Sequence, residues 1–198
     1  MADYFDRIRQ ALALPGALSS DYDLNPDVVL PADRKLRPAA VLMAMLAADQ
    51  RVQVVLTKRA SSLKHHPGQI AFAGGKVDAG DDGPEAAALR EAHEEIGLRP
   101  DNVEILGSLP CHETVTGFSV TPVVARIIAP FDPVPEPGEV DEVFQVPLAH
   151  ITDLSRYKTQ SRIWQGKPRY YPTVPYGPYY IWGATARILQ AFAQRLAT

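Results

Sequence analysis

Apolar and polar positions along the 198-residue chain fall into segments of two different periods. Ala39 to Leu46 and Val52 to Leu56 are apolar or β-branched runs separated by Ala48-Asp49-Gln50-Arg51, a pattern that predicts two strands joined as a hairpin. Gln69 to Phe72, Val103 to Ser108, Val120 to Ile128 and Glu142 to Val146 are further predicted strands. Helical spacing takes over in residues 4 to 14, where Tyr4, Phe5, Ile8, Leu12 and Leu14 mark an amphipathic helix that docks on the domain or on a second subunit, leaving a homodimer open. Two more helices are predicted over about 83 to 96 and 184 to 196. Residues 15 to 37, rich in Pro, Asp and Ser, read as a linker or extended arm. The chain thus divides into an N-terminal helix and arm, residues 1–36, and a domain over 37–198. Mixed strands flanked by helices predict an α/β/α sandwich around a central mixed β-sheet.

The helix over 83 to 96 ends in Arg90-Glu91-Ala92-His93-Glu94-Glu95-Ile96-Gly97, with three carboxylates inside little more than one turn. At about 100° per residue, Glu91 and Glu95 project within about 40° of each other, and Glu94 about 60° to the other side. Leu89 and Ile96 point roughly 150° from Glu91, so one face is apolar and the other acidic. Like charges at this spacing destabilise a bare helix by a few tenths of a kcal/mol per pair, which calls for solvation or a cation. Magnesium takes oxygen ligands and is usually held by one or two carboxylates plus substrate phosphates. Upstream lie Gly74-Gly75 and the turn-forming Asp78-Ala79-Gly80-Asp81-Asp82-Gly83-Pro84. Asp82 is the expected N-cap, with Glu85 completing a capping box, and Gly97 the expected left-handed terminator. Asp78 to Gly83 is no calcium loop, because Gly80 and Leu89 stand where ligands are required.

This glycine-loop and helix unit resembles the Nudix box through Gly75, Arg90, Glu91, Glu94, Glu95, Gly97 and Leu98. Asp81 stands where the box has its first glutamate, eight residues rather than seven separate it from Arg90, and Ala92 fills an aliphatic position. The coenzyme A diphosphatase branch of the family has the same extra residue and the same aspartate. Leu56-Thr57-Lys58-Arg59-Ala60-Ser61-Ser62-Leu63-Lys64-His65-His66-Pro67-Gly68-Gln69-Ile70-Ala71-Phe72-Ala73-Gly74-Gly75 resembles that branch's upstream motif, with Lys64 for an arginine, Ala60 for a serine and Ala73 for a proline. Thr114-Val115-Thr116-Gly117-Phe118-Ser119-Val120-Thr121-Pro122, then Glu139-Val140 with Phe144-Gln145-Val146-Pro147-Leu148, and Ile181-Trp182-Gly183-Ala184-Thr185-Ala186 resemble three later segments of the same branch. The likeness spans most of residues 37 to 195 and implies a Nudix-like α/β/α sandwich.

The resemblance implies a hydrolase that splits a diphosphate with Mg2+ or Mn2+. In that reading Glu91 and Glu95 ligate the principal ion, the Gly75 carbonyl adds a ligand, and Glu94 holds a second ion or an outer-sphere water. Lys58, Arg59 and Lys64 offset phosphate charge; Lys64 lacks the planar fork of an arginine. His66 positions substrate or holds the loop. Arg90 joins the catalytic set by pairing with a loop or box carboxylate and fixing its rotamer. Glu139 is the first candidate for general base, Glu94 the second and His112-Glu113 a distant third. The implied substrate is coenzyme A or a derivative, cut to 3′,5′-ADP and (acyl-)4′-phosphopantetheine. Alternatives are another nucleoside diphosphate derivative, such as a dinucleotide, ADP-ribose or a nucleotide sugar, or a nucleotide-sensing module without turnover.

Composition narrows the partners. A net charge of −3 argues against a broad nucleic-acid or membrane-surface footprint, so a small-molecule nucleotide is expected. No apolar run is long enough to span a bilayer, and the N-terminus lacks a signal-peptide pattern. Cys111 is the only cysteine, which excludes an internal disulfide, fits a cytoplasmic setting and reads as an ordinary thiol. Walker and Rossmann glycine patterns are absent. Ile163 to Trp182 holds both tryptophans and five of the eight tyrosines. That strip either stacks an adenine or lines an apolar pocket, or forms a proline-rich hairpin completing the core or a dimer contact.

Overall fold

Side chains of the longest strand alternate between two separate cores. Ala40, Leu42, Ala44 and Leu46 enter one with Ala87, Ala88, Ala92 and Ile96, whereas Ala39, Met43 and Met45 enter the other with Ile8, Leu189 and Phe192. A sheet buried on both faces needs a helical layer on each side. The computed structural model describes residues 2–31, 33–48, 51–164 and 166–197. Its elements begin α1 (Ala2–Ala13), β1 (Ser19–Ser20), β2 (Arg37–Ala48), β3 (Arg51–Arg59), β4 (Ile70–Ala71) and β5 (Ala73–Lys76). Next come α2 (Pro84–Ile96), β6 (Val103–Ser108), β7 (His112–Glu113), β8 (Phe118–Ile127), β9 (Val140–Pro147) and α3 (Leu148–Thr152). The last are β10 (Lys158–Trp164), β11 (Lys167–Thr173) and α4 (Gly183–Leu196). The expected α/β/α sandwich is the observed fold, with a mixed nine-stranded sheet at its centre.

Strands β2 and β8 run parallel from Arg37↔Phe118 to Leu46↔Ile127, and β3 and β9 pair antiparallel beside them. The predicted hairpin joins β2 to β3, with Ala48 opposite Arg51; Asp49 and Gln50 of its turn lie outside the described residues. Pairing of β2 with β3 covers only Met45–Ala48, and beyond it the two strands take separate partners. β5 lies along Leu42–Ala39 of β2, and β4 along Lys58–Thr57 of β3. The strand expected over Gln69–Phe72 is the short β4, and an additional strand, β5, follows it and carries the glycine pair into the sheet. Ala87, Ala88 and Ala92 are fully buried between α2 and this sheet, which accounts for a small residue at the box's aliphatic position: a larger one would overpack a closely approached helix.

Helix α2 starts differently from the expectation. Its N-cap is Gly83 and no side chain caps it, so Asp82 and Glu85 form no capping box. Pro84 at the start of the helix has no N–H in need of a cap. Gly97 does terminate the helix in the left-handed region, φ 71°, with its N–H on the His93 carbonyl and the Leu98 N–H on that of Ala92.

The N-terminal segment is stapled to the domain. Phe5, Ile8 and Leu12 of α1 are buried in the core shared with α4, and Arg195 donates to the Ala11 and Leu12 carbonyls at the end of α1. In the arm, β1 pairs with β7, and the wholly buried His112 ring bonds Ser19 Oγ at 2.9 Å and Asp21 Oδ1 at 3.2 Å. Arg34 grips both carboxylate oxygens of Glu113 at 2.7 and 2.8 Å. Both members of the third-ranked base pair, His112-Glu113, are thus engaged in holding the arm.

Among the described glycines, Gly74 is the one that backbone atoms crowd most closely. A Cβ there would stand 2.4 Å from the Ala40 carbonyl oxygen and 2.6 Å from the Val41 Cα, both backbone atoms unable to yield alone. Gly74→Ala is expected to cost about 2–3 kcal/mol, lowering Tm by roughly 5–10 °C in thermal denaturation. An unchanged Tm would mean that β5 is free to move away from β2.

Candidate active site

The splayed strands and the C-terminal half of α2 enclose a cleft of about 650 Å3, lined among others by Arg59, Gly74, Gly75, Glu91, Glu95 and Glu139. Its carboxylates differ in setting. Glu94 does not line the cleft; its side chain is 56% exposed and, among the described residues, it pairs with Arg90. Glu91 is half-buried, while Glu95 is only 6% exposed, so the acidic face predicted from the helical period is not wholly open to solvent. The inward stripe of α2 is Ala88, Ala92, Glu95 and Ile96, so the acidic face turns partly into the core.

Each buried carboxylate has a backbone reason for its position. The Gly74 N–H donates to Glu95 Oε2 at 3.2 Å. The Glu91 carboxylate occupies the space where a side chain on Gly75 would sit, with Oε1 2.4 Å and Oε2 2.8 Å from an ideal Cβ. Only glycine admits that approach. Arg90 then ties loop to helix: Nε and Nη2 reach the two oxygens of Asp81 at 3.0 Å each, Nη1 reaches Glu91 and Glu94 at 3.0 Å each, and Nη2 also reaches the Lys76 carbonyl at 3.1 Å. Asp81 further accepts the Asp78 N–H at 2.8 Å, and its carboxyl pKa is lowered, chiefly by Arg90. The aspartate in the longer loop is thus the clamp on Arg90.

Burial pushes Glu95 up to about 7, the charges of Glu91 and Glu139 adding to that effect while the Gly74 N–H and Arg59 oppose it. Burial likewise raises Glu91, against Arg90. Among the described residues no three acidic, imidazole or thiol side chains converge into a closed metal cage. A magnesium-type ion needs none, since one or two carboxylates with substrate phosphates suffice. Glu91, Glu95 and the Gly75 backbone supply hard oxygen donors, negative charge held against its own repulsion and a cradle that a Cβ would fill, and they fit such an ion.

The other predicted residues are distributed around this cleft. Arg59 lies on a wall shared with a neighbouring cavity of about 260 Å3, which His66 and Trp182 also line. His66 adopts φ 55°, a strained setting for a side-chain residue, and opens onto a third cavity with Lys58, Glu142 and Tyr179. Lys64 is exposed and lines none of the three. The aromatic strip divides: β10 and β11 form a hairpin, Tyr179 stacks on Phe144 of the core at 3.6 Å, and Trp182 faces the cavities with Arg162 4.7 Å above its ring. Sequence reasoning missed Arg162, Arg169 and Arg187, which line the second cavity from β10, β11 and α4. Spread over separate elements, they form no local pattern.

The chain is a mixed-sheet α/β/α sandwich with a carboxylate helix against a glycine strand, and comparison with known proteins identifies the family. A NUDIX domain model matches residues 35–172. Over 160 residues the chain is 43% identical to proteins from Enterobacter sp. (strain 638) and Salmonella newport (strain SL254), each described as an uncharacterized Nudix hydrolase, NudL; the match covers 81% of this chain and 83% of theirs. Among solved structures, the Nudix hydrolase RenU of M. smegmatis is 26% identical, with a TM-score of 0.50, over 59% of this chain and 74% of that one. The MutT protein of Methanosarcina mazei Go1 shares the fold, with a TM-score of 0.53 and 17% identity, over 84% of this chain and 96% of that one. The chain belongs to the Nudix family and is a hydrolase. Nudix hydrolases use divalent metal ions and act on small nucleotide-derived substrates. No helix among the described residues is long and apolar enough to cross a membrane.

The strained carboxylate gives metal-free stability a definite sign. Glu95 rises from 4.5 to about 7 on folding, so its contribution is fully present below about pH 4.5 and is lost as pH climbs through about 7. In chelator, the parent is expected to lose on the order of 2–3 kcal/mol more between pH 5 and 8 than Glu95→Gln does, measured by urea denaturation. Parallel pH profiles for the two proteins would show that Glu95 is not the strained group.

Proposed function

We propose that this Nudix hydrolase cleaves the diphosphate of coenzyme A or its derivatives, releasing 3′,5′-ADP and 4′-phosphopantetheine or its acylated form. One observation carries the reading: segments that resemble the coenzyme A diphosphatase branch, though far apart in the chain, converge on one cavity beside the carboxylate cleft. Arg59, His66 and Gln69 of the upstream motif, Thr116 and Val120 of the second segment, and Trp182 to Thr185 all line it. Thr185 Oγ1 also donates to the Ile70 carbonyl at 3.0 Å, joining the last segment to the first.

In this reading Glu91, Glu95 and the Gly75 carbonyl hold Mg2+ or Mn2+. Such an ion, when bound, neutralises phosphate oxygens and lowers the pKa of water. Arg90 keeps the Glu91 carboxylate in place through its Asp81 clamp. Arg59, on the wall between cleft and cavity, offsets charge on the diphosphate. Glu139 accepts the proton of the attacking water, a role its position on the cleft allows and the outward position of Glu94 does not favour. The water oxygen bonds to one phosphorus as the bridging P–O bond breaks, and the bridging oxygen leaves with the other phosphate. No covalent enzyme intermediate forms.

Incubation with coenzyme A and magnesium, followed by chromatography, is expected to yield 3′,5′-ADP. Turnover of ADP-ribose without coenzyme A cleavage would move the assignment to another Nudix substrate, and inertness toward a panel of diphosphates would point to a sensing module. Glu95→Gln is expected to abolish most turnover at saturating magnesium while the protein stays folded by circular dichroism. Glu139→Gln is expected to lower kcat by about 10²–10⁴-fold; a parental kcat in that variant would transfer the base to another group.

A further inference from the structure

Among the described residues three buried side-chain nitrogens have no hydrogen-bond partner: Nε of Arg59, Nε of Arg126 and Nη1 of Arg187. Arg59 and Arg187 line the same cavity, the one adjoining the carboxylate cleft. A buried donor left unpaired costs about 1–3 kcal/mol, more when charged, so two arginines lining one cavity carry guanidinium groups that the surrounding protein does not fully satisfy. The rest of the lining sharpens that deficit. Arg162 and Arg169 also line the cavity, and they stand directly opposite each other in the β10–β11 register, a cross-strand placement that like charges disfavour.

Negative charge in the same wall does not balance these groups. Four arginines and one carboxylate, Asp21, line the cavity. Asp21 is already engaged, by the His112 ring at 3.2 Å and the Val115 N–H at 2.9 Å. Asp23, in the arm, takes Nε and Nη2 of Arg187 at 3.0 and 2.7 Å and leaves Nη1 over. Gly183, Ala184 and Thr185, at the N-terminus of α4, line the cavity as well, and that helix has no side-chain cap. A helix N-terminus adds positive potential to a site that guanidinium groups already define.

We propose that this cavity is an anion subsite for a phosphomonoester carried on the substrate, distinct from the diphosphate held at the carboxylate cleft. Arg187 and Arg169 grip the monoester oxygens, Arg162 completes the positive wall while covering Trp182, and Arg59 faces both phosphate positions. The ligand class is a nucleoside diphosphate derivative with an additional phosphate on its ribose. The assignment rests on the coenzyme A reading for the identity of the substrate, but the subsite can be tested without turnover.

Calorimetric titration with 3′,5′-ADP and with 5′-AMP separates the additional phosphate from the rest of the nucleotide. The parent is expected to bind 3′,5′-ADP about ten- to a hundredfold more tightly, the range for a charge-assisted arginine–phosphate contact. Arg187→Gln and the exposed hairpin variant Arg162→Gln are each expected to shrink that ratio several-fold, and Arg187→Lys to shrink it less than Arg187→Gln. Asp23→Asn, which breaks the tie to the arm but keeps the guanidinium, is expected to leave the ratio at or above the parental value. Equal affinities for the two nucleotides in the parent overturn the subsite. A ratio that both arginine variants leave unchanged, or that Asp23→Asn collapses as far as Arg187→Gln does, also overturns it. Preferential binding of 3′,5′-ADP without cleavage of coenzyme A keeps the subsite and overturns the substrate assignment instead.

Discussion

Glu91 and Glu95 lie on consecutive turns of α2 and are both pressed toward a glycine pair, inside a wall where water cannot fully solvate them. Arg90 relieves Glu91 directly. Glu95 receives only a backbone N–H and the more distant field of Arg59, so part of its charge stays uncompensated within the protein. The fold maintains this repulsion because stronger constraints hold the two partners. Alanines fix the height of α2 above the sheet, and β5 cannot leave β2 without breaking a ladder from Ala39↔Lys76 to Leu42↔Ala73. A site that binds a cation by pre-paying electrostatic repulsion must be built on elements too rigid to relax, and here they are a central strand and a closely packed helix.

The loop before α2 follows from the same constraint. Arg90 could satisfy Glu91 and Glu94 alone, but it would then be free to follow either one. Bonding both oxygens of Asp81 and the Lys76 carbonyl fixes the plane of the guanidinium and therefore the side of Glu91 it covers. Asp81 is also held from the loop side by the Asp78 N–H. The additional loop residue and the shorter acid, which look like departures from a pattern in the sequence, act in the structure as one clamp.

Much of the fold is legible in the sequence because it rests on period and punctuation. The continuous apolar run of β2, the position of Gly97 and the glycine pair before an acidic helix each have a local physical signature. What escapes is set by partners distant in sequence. The helical period points Leu89 and Ile96 inward, yet says nothing about Glu95 entering the core margin, because that depends on where β5 lies. Asp82 has the right chemistry for a cap, but Gly83 takes the N-cap position and Pro84, the first helical residue, has no N–H in need of one. The arm reads as linker from its composition, although Ser19, Asp21 and Arg34 find His112 and Glu113 more than seventy residues away. The second cavity is invisible for the same reason, its arginines coming from β3, β10, β11 and α4.

Placing a basic cavity against an acidic cleft in a chain of net charge −3 divides one electrostatic problem between two places. In the proposed reaction a cleft of carboxylates repels the phosphates that it acts on, and an ion alone cannot orient them. Arg59, shared by both linings, couples the two regions: its charge faces Glu95 on one side and the arginine-rich wall on the other. On the proposed reading, attraction at a phosphate remote from the scissile bond would supply the binding energy that positions the diphosphate beside like-charged side chains. The arginines of the hairpin and of α4 would then contribute to turnover by position, and the exposed hairpin would serve as one wall of the cavity that they line.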